Sequence, residues 1–262
     1  MPHVVRITIY PMKSCDGLSQ NIVQVSPSGA LQYDRQFALV DSMGGSINAK
    51  RIPLIHRLRL LIDPPRREFR VARRDGGDES CGRLVDDGQQ LTDWLSDFFS
   101  LDVSFVENDQ TGFPDDLNAP GPTVISTATL QTVAGWFTGM TVDEVRLRGR
   151  ANIEIDGVEP FWEDRLFRGD LQPQPFRIGE VVFGGVNPCQ RCVVPTRDSQ
   201  TGEVTPPSFA QTFGERRERA LPTWASREHF NHYYRLSTNT RILDRKNGGI
   251  RVGDRVEVLV TD

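Results

Sequence analysis

A chain of 262 residues is long enough to bury a large core, in one big domain or in two smaller ones. Its formal net charge of -4 argues against general binding to nucleic acid, because such binding depends on a broad positive surface. No apolar run approaches the roughly 20 residues that a membrane helix needs, and four cysteines are too few for a disulfide scaffold.

The first residues alternate in polarity like a strand and lack the charged leader, apolar block and cleavage site of a secretory signal. We therefore expect a protein of a reducing, cytoplasmic compartment. Neither nucleic acid nor a membrane is expected as a partner.

Apolar residues with a period of two predict short strands at residues 5–9, 22–25, 37–40, 58–62 and 69–71. A hairpin turn is predicted at residues 41–45 (DSMGG), because glycine accepts positive φ. This pattern is typical of a β-meander or a small barrel. An amphipathic helix follows, with Leu91, Leu95 and Phe98 on one face, and then a strand at residues 103–106.

Residues 107–122 are polar and rich in turn formers, which indicates a domain boundary or a binding loop. We place the boundary after residue 108 and expect domains at 1–108 and 109–262. A helix through Leu130, Val133 and Phe137 is predicted after a strand at 123–126, with Ser126 or Thr127 as its N-cap. Further predictions are strands at 152–155, 180–183, 192–194 and 255–260, and a mixed helical segment at 208–235.

The segment 187–203 (NPCQRCVVPTRDSQTGE) combines two thiols, an arginine and a tight turn, so we expect the chemistry there. Cys189 and Cys192 form a Cys-x-x-Cys step, which suits a metal or a redox reaction. A zinc site would need two further ligands, for which His229 and His232 are candidates. A dithiol redox pair is another interpretation, although such cysteines normally open a helix and this pair leads into a predicted strand.

Five motifs resemble, in their order and context, those of the MOSC superfamily. They are residues 10–15 (YPMKSC), 33–40 (YDRQFALV), 148–153 (RGRANI) with 161–164 (FWED), 189–192 (CQRC) with 198–202 (DSQTG), and 250–254 (IRVGD). The resemblance covers nearly the whole chain. It is strongest to the branch that includes the mitochondrial amidoxime-reducing component and bacterial reductases of N-hydroxylated bases.

The resemblance implies a mainly β fold with a few helices (α+β). Residues 1–108 would form an N-terminal β-barrel-like domain and residues 109–262 a MOSC β-barrel domain. The cleft between them would hold a molybdenum cofactor (Mo-molybdopterin). Cys192 would be the molybdenum ligand and the catalytic residue, since a soft thiolate suits a soft, sulfur-ligated metal and Arg191 favours the thiolate. The role of Cys189 stays open.

Fixed donors are also implied for the pterin and the phosphate of the cofactor. Matching positions are Lys13, Ser14, Arg35, Arg150, Asn152 and Arg191. Arginine forks and a lysine charge suit a phosphate, while an asparagine amide can donate to and accept from a pterin edge. The alternative for Arg35 is a pair with a surface carboxylate, and the alternative for Asn152 is a turn cap.

Two further contacts are predicted from the same resemblance. In the loop before residue 122, Asn118 is assigned to the cofactor, with Asp115 and Asp116 as alternatives for the residue that faces the metal. Thr240 is assigned to the cofactor as well. Glu163 and Asp164 either orient Arg150 or are exposed.

The function implied is reduction of a small N-hydroxylated or N-oxide substrate, with release of water. Electrons would come from a separate protein of the ferredoxin, flavodoxin or cytochrome/reductase type, because the sequence has no further cysteines for an iron–sulfur cluster. The alternative is a protein that binds and carries the cofactor or its sulfur on Cys192 without turnover of its own. A structural β-protein would leave the five motifs unexplained.

Overall fold

A computed structural model describes residues 1–169, 172–245 and 248–260 of the chain. Within these ranges the chain is mostly strands with four α-helices, so the predicted mainly β fold is confirmed. The strands are β1 (His3–Ile9), β2 (Leu18–Gln20), β3 (Ile22–Gln24), β4 (Phe37–Asp41), β5 (Ser46–Ile47), β6 (Leu58–Asp63), β7 (Glu68–Arg73), β8 (Glu79–Arg83), β9 (Val103–Glu107), β10 (Val124–Ser126), β11 (Ile153–Asp156), β12 (Gln174–Ile178), β13 (Val181–Gln190), β14 (Arg235–Asp244), β15 (Gly249–Arg251) and β16 (Val256–Val258). The helices are α1 (Gly88–Phe99), α2 (Thr127–Ala134), α3 (Val142–Gly149) and α4 (Phe209–Arg219).

Two three-stranded sheets and α1 form what we call the N-terminal body. The strand orders are β5-β4-β9 and β6-β7-β8. Alternate side chains of β6 point inward, so Leu58, Leu60 and Ile62 are buried. Helix α1 packs Leu91 and Leu95 against the same core, because residues four apart lie on one face of a helix.

An eight-stranded sheet forms what we call the C-terminal body, in the order β16-β12-β13-β14-β10-β11-β1-β2. One edge of this sheet comes from the start of the chain, since β1 pairs antiparallel with β11 and β2 pairs with β1. Between β1 and β2 the chain leaves this sheet and packs Met12 and Cys15 into the core of the N-terminal body. Lys13 and Ser14 therefore lie where the two bodies meet.

Most of the elements predicted in the first half of the chain lie where the sequence indicates them. Ser126 is the N-cap of α2, because its side chain accepts the backbone N–H of Thr129 at 3.1 Å. The predicted strand at 192–194 is wrong, since β13 ends at Gln190 and Val194–Thr196 form a 3-10 turn. Pro195 lacks the N–H that a strand ladder needs at this point.

Other predicted elements end at different residues in the structure, and helix α3 was missed. Helix α2 stops at Ala134, before Phe137, and only 209–219 of the segment 208–235 is α-helical. Helix α3 was not predicted because Val145 is its one buried large apolar side chain, so its sequence lacks an apolar stripe. No helix in the described residues is long and apolar enough to cross a membrane.

Candidate functional site

A cavity of about 1000 Å³ lies between the two bodies and carries a large excess of positive side chains. Nine lysines and arginines line it within the described residues, against three aspartates. They are Lys13, Arg35, Lys50, Arg74, Arg148, Arg150, Arg191, Arg197 and Arg235, and Asp16, Asp115 and Asp116. Such a concave, cationic surface concentrates anions, so we call it the anion cleft.

Both thiols of the Cys-x-x-Cys step lie on the wall of the anion cleft and are half-buried. Arg191 lies between them: its Nη1 donates to Cys189 Sγ at 3.3 Å and its Nη2 to the Gly149 carbonyl at 2.9 Å. Burial acts to lower the pKa of Arg191, but the charges of the two sulfurs outweigh it, so this pKa lies above its ordinary value. This half-buried guanidinium therefore places a permanent positive charge beside the Cys189 sulfur.

Three of the predicted cofactor residues have left-handed backbones. Ser14, Arg35 and Arg150 have φ of 68°, 52° and 51°. This conformation costs an L-residue roughly 1–2 kcal/mol, and residues held in it cluster at functional sites. Arg150 ends α3 in this conformation, and its guanidinium stacks on the Tyr10 ring at 4.0 Å from the centroid.

Lys13 and Arg35 share a carboxylate from the loop that precedes β10. Lys13 Nζ lies 3.1 Å from Asp115 Oδ1, and Arg35 Nε lies 3.8 Å from Asp115 Oδ2. Burial acts to raise the pKa of Asp115, but the two cations outweigh it and hold this pKa below its ordinary value. Asp115 and Asp116 both line the cleft, whereas Asn118 is exposed and is not part of the lining. The loop residue facing the cations is therefore an aspartate.

Asn152 is buried outside the lining of the anion cleft, so its predicted contact with the cofactor is not supported. Its Nδ2 donates to the Thr8 carbonyl and to Asp34 Oδ1, both at 3.1 Å. Asp34 Oδ2 in turn accepts from Arg35 Nη1 at 2.7 Å. Asn152 is thus linked to Arg35 through Asp34, and its Oδ1 accepts the backbone N–H of Thr123 at 3.1 Å.

Thr240 is also buried outside the lining, in β14. Its Oγ1 donates to the Pro122 carbonyl at 2.6 Å, and its own carbonyl accepts the N–H of Gly121 at 2.9 Å. These bonds fix the end of the loop that carries Asp115. Thr240 therefore anchors the loop that carries Asp115 and does not itself line the cleft.

Two family models match successive parts of the chain. The MOSC N-terminal beta barrel domain matches residues 1–102, and the MOSC domain matches residues 124–257. The chain belongs to the MOSC family. The interval between the two matches contains β9 and the whole loop that carries Asp115.

Curated relatives of this MOSC chain are named molybdenum cofactor sulfurases. That of Drosophila grimshawi is 27% identical over 236 residues, covering 78% of this chain and 29% of the relative. The human protein is 24% identical over 265 residues, with 83% and 29% covered. The chain thus spans less than a third of the length of these relatives. One solved structure, YiiM from Geobacillus stearothermophilus, matches with a TM-score of 0.34 at 13% identity, over 53% of this chain and 54% of that one.

Several residues of the MOSC cleft were not identified from the sequence. Arg197 and Arg148 lie within motifs quoted above, so a signal for them was present. His56 and Arg74 come from the N-terminal body and carry no motif. Only the packing of the two bodies brings them to the cleft.

The two other interpretations of the Cys-x-x-Cys step find little support. Within the described residues, no group of three or more histidine, cysteine, aspartate or glutamate side chains could hold a metal. His229, a candidate zinc ligand, hydrogen-bonds the Arg168 carbonyl instead. Cys189 lies in strand β13, so the pair does not open an α-helix as a dithiol redox pair normally does.

Proposed function

We propose that the anion cleft binds the molybdenum cofactor, with Cys192 as the thiolate ligand of the metal, and that the loaded protein reduces small N-hydroxylated or N-oxide compounds. The observation that carries this proposal is the half-buried thiol of Cys192 on the wall of a cation-rich cavity, beside the half-buried Arg191. The names of the relatives agree with the cofactor and leave the reaction open.

The donor set of the cleft fits this cofactor. Its Lys13, Arg35 and Arg150 suit a phosphate, and a soft thiolate suits molybdenum. Arg191 Nε is buried and has no partner among the described residues. An unpaired buried donor costs roughly 1–3 kcal/mol, so an acceptor on a ligand at this point would be stabilising.

When bound, the cofactor supplies the two-electron chemistry that removes the oxygen atom. The overall change is R–NH–OH plus two electrons and two protons, giving R–NH2 and water. The chain itself binds the cofactor and the substrate in the cleft between the two bodies. Its arginines make the electrostatic potential in the cleft positive. We propose a separate protein as the electron donor.

Replacing Asp115 and replacing Lys13 should have opposite effects on cofactor retention. Asp115→Asn frees the two cations from an internal carboxylate, so retention should rise; Lys13→Gln removes a charge-assisted contact, so retention should fall roughly tenfold. The measurement is the molybdenum that stays bound during prolonged dialysis.

Asp116→Asn is the matched control, because Asp116 lines the same cleft but its side chain accepts, among the described residues, only the Asn118 N–H at 2.9 Å. Its retention should equal that of the wild type. Lower retention in Asp115→Asn would show that this carboxylate supports the cofactor instead of competing with it.

A cofactor carrier is the second candidate function, favoured by the names of the relatives. A reductase loaded with molybdenum should oxidise a reduced viologen dye when benzamidoxime is added. A carrier should consume no dye and should instead pass molybdenum to a cofactor-free acceptor enzyme. Absence of dye oxidation by fully loaded protein would rule out the reductase and leave the carrier.

A further inference from the structure

A second group of cations in the anion cleft shares only Arg150 with the residues assigned above to the cofactor. We call it the His56 corner and define it as His56, Arg74, Arg150 and Arg197. All four residues line the cavity. His56 lies in the 3-10 turn Pro53–Arg57 of the N-terminal body, whereas Arg150 and Arg197 come from the C-terminal body.

The positive charge of the His56 corner is only partly neutralised. Arg74 forms an ion pair with Asp16, and its Nε donates to the His56 carbonyl at 3.0 Å. Among the described residues, neither Arg150 nor Arg197 has a carboxylate within ion-pair distance. Arg197 donates one bond, from Nη1 to the Ala49 carbonyl, and Arg150 rests on an aromatic ring.

The imidazole of His56 also has a ring nitrogen that lacks a hydrogen-bond partner in the described part of the chain. Its Nε2 is buried and has no hydrogen-bond partner among the described residues. Burial lowers the pKa of His56 and the charges of Arg197, Arg150 and Arg74 lower it further, whereas a hydrogen bond to the Ser199 backbone acts to raise it. A neutral imidazole can donate one N–H, and the arginine forks can donate in pairs.

We propose that the His56 corner is a subsite for an oxyanion, supplied by the carboxylate or phosphate group of the substrate. An oxyanion there would accept from Arg197, Arg150 and His56 Nε2 together and would offset the repulsion among the arginines. The phosphate of the cofactor is the other source of the same chemistry. We favour the substrate because Lys13 and Arg35 form a separate cationic pair around Asp115, and because about 1000 Å³ is at the upper end for a single-ligand pocket.

The subsite is tested first on the cofactor-free full chain with inorganic phosphate. Histidine ring signals are followed by NMR over a pH series, with and without phosphate, at constant ionic strength. Bound phosphate should raise the pKa of His56, because a nearby anion favours the imidazolium, and Arg197→Gln should abolish the rise. His3 lies outside the cleft and should not respond. An unchanged His56 titration at high phosphate would overturn the proposal.

Whether the oxyanion belongs to the substrate is tested on molybdenum-loaded protein. This second experiment rests on the proposed function, because it measures turnover. The readout is the ratio of kcat/KM for para-carboxybenzamidoxime to that for benzamidoxime. Arg197→Gln should lower this ratio at least roughly tenfold. Arg57→Gln is the matched control, since Arg57 also bridges the two bodies, donating to the Thr201 carbonyl, but does not line the cleft.

The remaining outcomes distinguish a failure of the subsite proposal from a failure of the proposed function. A loss of molybdenum from Arg197→Gln with an unchanged ratio would assign the corner to the cofactor and overturn the substrate assignment. Wild type that holds molybdenum but reduces neither compound would refute the proposed reaction, and the phosphate titration would still decide the subsite. Arg197→Lys, which keeps the charge without the fork, should give an intermediate ratio if the variant folds normally.

Discussion

Replacing Cys192 by serine should lower the molybdenum content of the purified protein at least roughly tenfold, a loss that corresponds to about 1.4 kcal/mol or more of binding free energy. A serine hydroxyl stays protonated and offers a hard oxygen where the metal prefers a soft thiolate. Cys192 is half-buried at the surface of the cleft and takes part in neither core of the two bodies. The melting temperature should therefore stay close to that of the wild type.

Cys189→Ser is the matched control for this prediction. Cys189 Sγ accepts a hydrogen bond from Arg191 Nη1, and a serine oxygen can accept the same bond. The loss of molybdenum should be much smaller than in Cys192→Ser. Equal molybdenum in wild type and Cys192→Ser would refute the ligand assignment, and equal losses in both variants would indicate a site made of two cysteines.

Replacing Glu163 by glutamine should stabilise the fold at about pH 8 by an amount on the order of 3 kcal/mol. Glu163 is 1% exposed; one carboxylate oxygen accepts from Thr129 Oγ1 at 3.1 Å, and the other has no partner among the described residues. Burial and the neighbouring charge of Asp164 raise the pKa of Glu163 to about 7, from an ordinary value of 4.5. At about 1.4 kcal/mol per pH unit, this difference sets the expected size of the effect.

The sign of the pH dependence follows from proton binding. Between about pH 4.5 and pH 7 the folded state holds a proton on Glu163 that the unfolded state has lost, so stability falls as the pH rises and levels off above pH 7. Glutamine stays neutral and removes this step. Urea unfolding at about pH 5 and pH 8 measures this loss of stability in the wild type and its absence in the variant.

Glu159→Gln is the control for Glu163→Gln, because Glu159 is exposed and pairs with Arg165 at the surface. It should change the stability by less than about 0.5 kcal/mol at either pH. A Glu163→Gln variant that is less stable than wild type at pH 8 would show that the carboxylate is ionised and usefully paired in the folded protein.

Local patterns predicted most strands of the N-terminal body and the first helix because their signals are short in range. The period of two in β6 and the capping side chain of Ser126 both act within a few residues. The family resemblance located Lys13, Arg35, Arg150 and Cys192, and the structure brings all four to one cleft.

The roles of several buried polar residues could not be predicted from the sequence. Asn152 and Thr240 have side chains that suit a ligand, yet each is used by backbone or carboxylate partners from distant segments. Glu163 and Asp164 are buried, and Asp164 pairs with Arg217 rather than orienting Arg150. Such partners depend on tertiary packing, so spacing along the chain cannot identify them.

The measurement that tests the central claim most directly is the molybdenum and pterin content of the wild-type chain. The protein is produced in a host that makes the cofactor, and its metals are determined by elemental mass spectrometry and its pterin by fluorescence after oxidation. We predict molybdenum and pterin in equal amounts, close to one of each per chain. Zinc without pterin, or no metal when cofactor supply is verified, would contradict cofactor binding in the anion cleft.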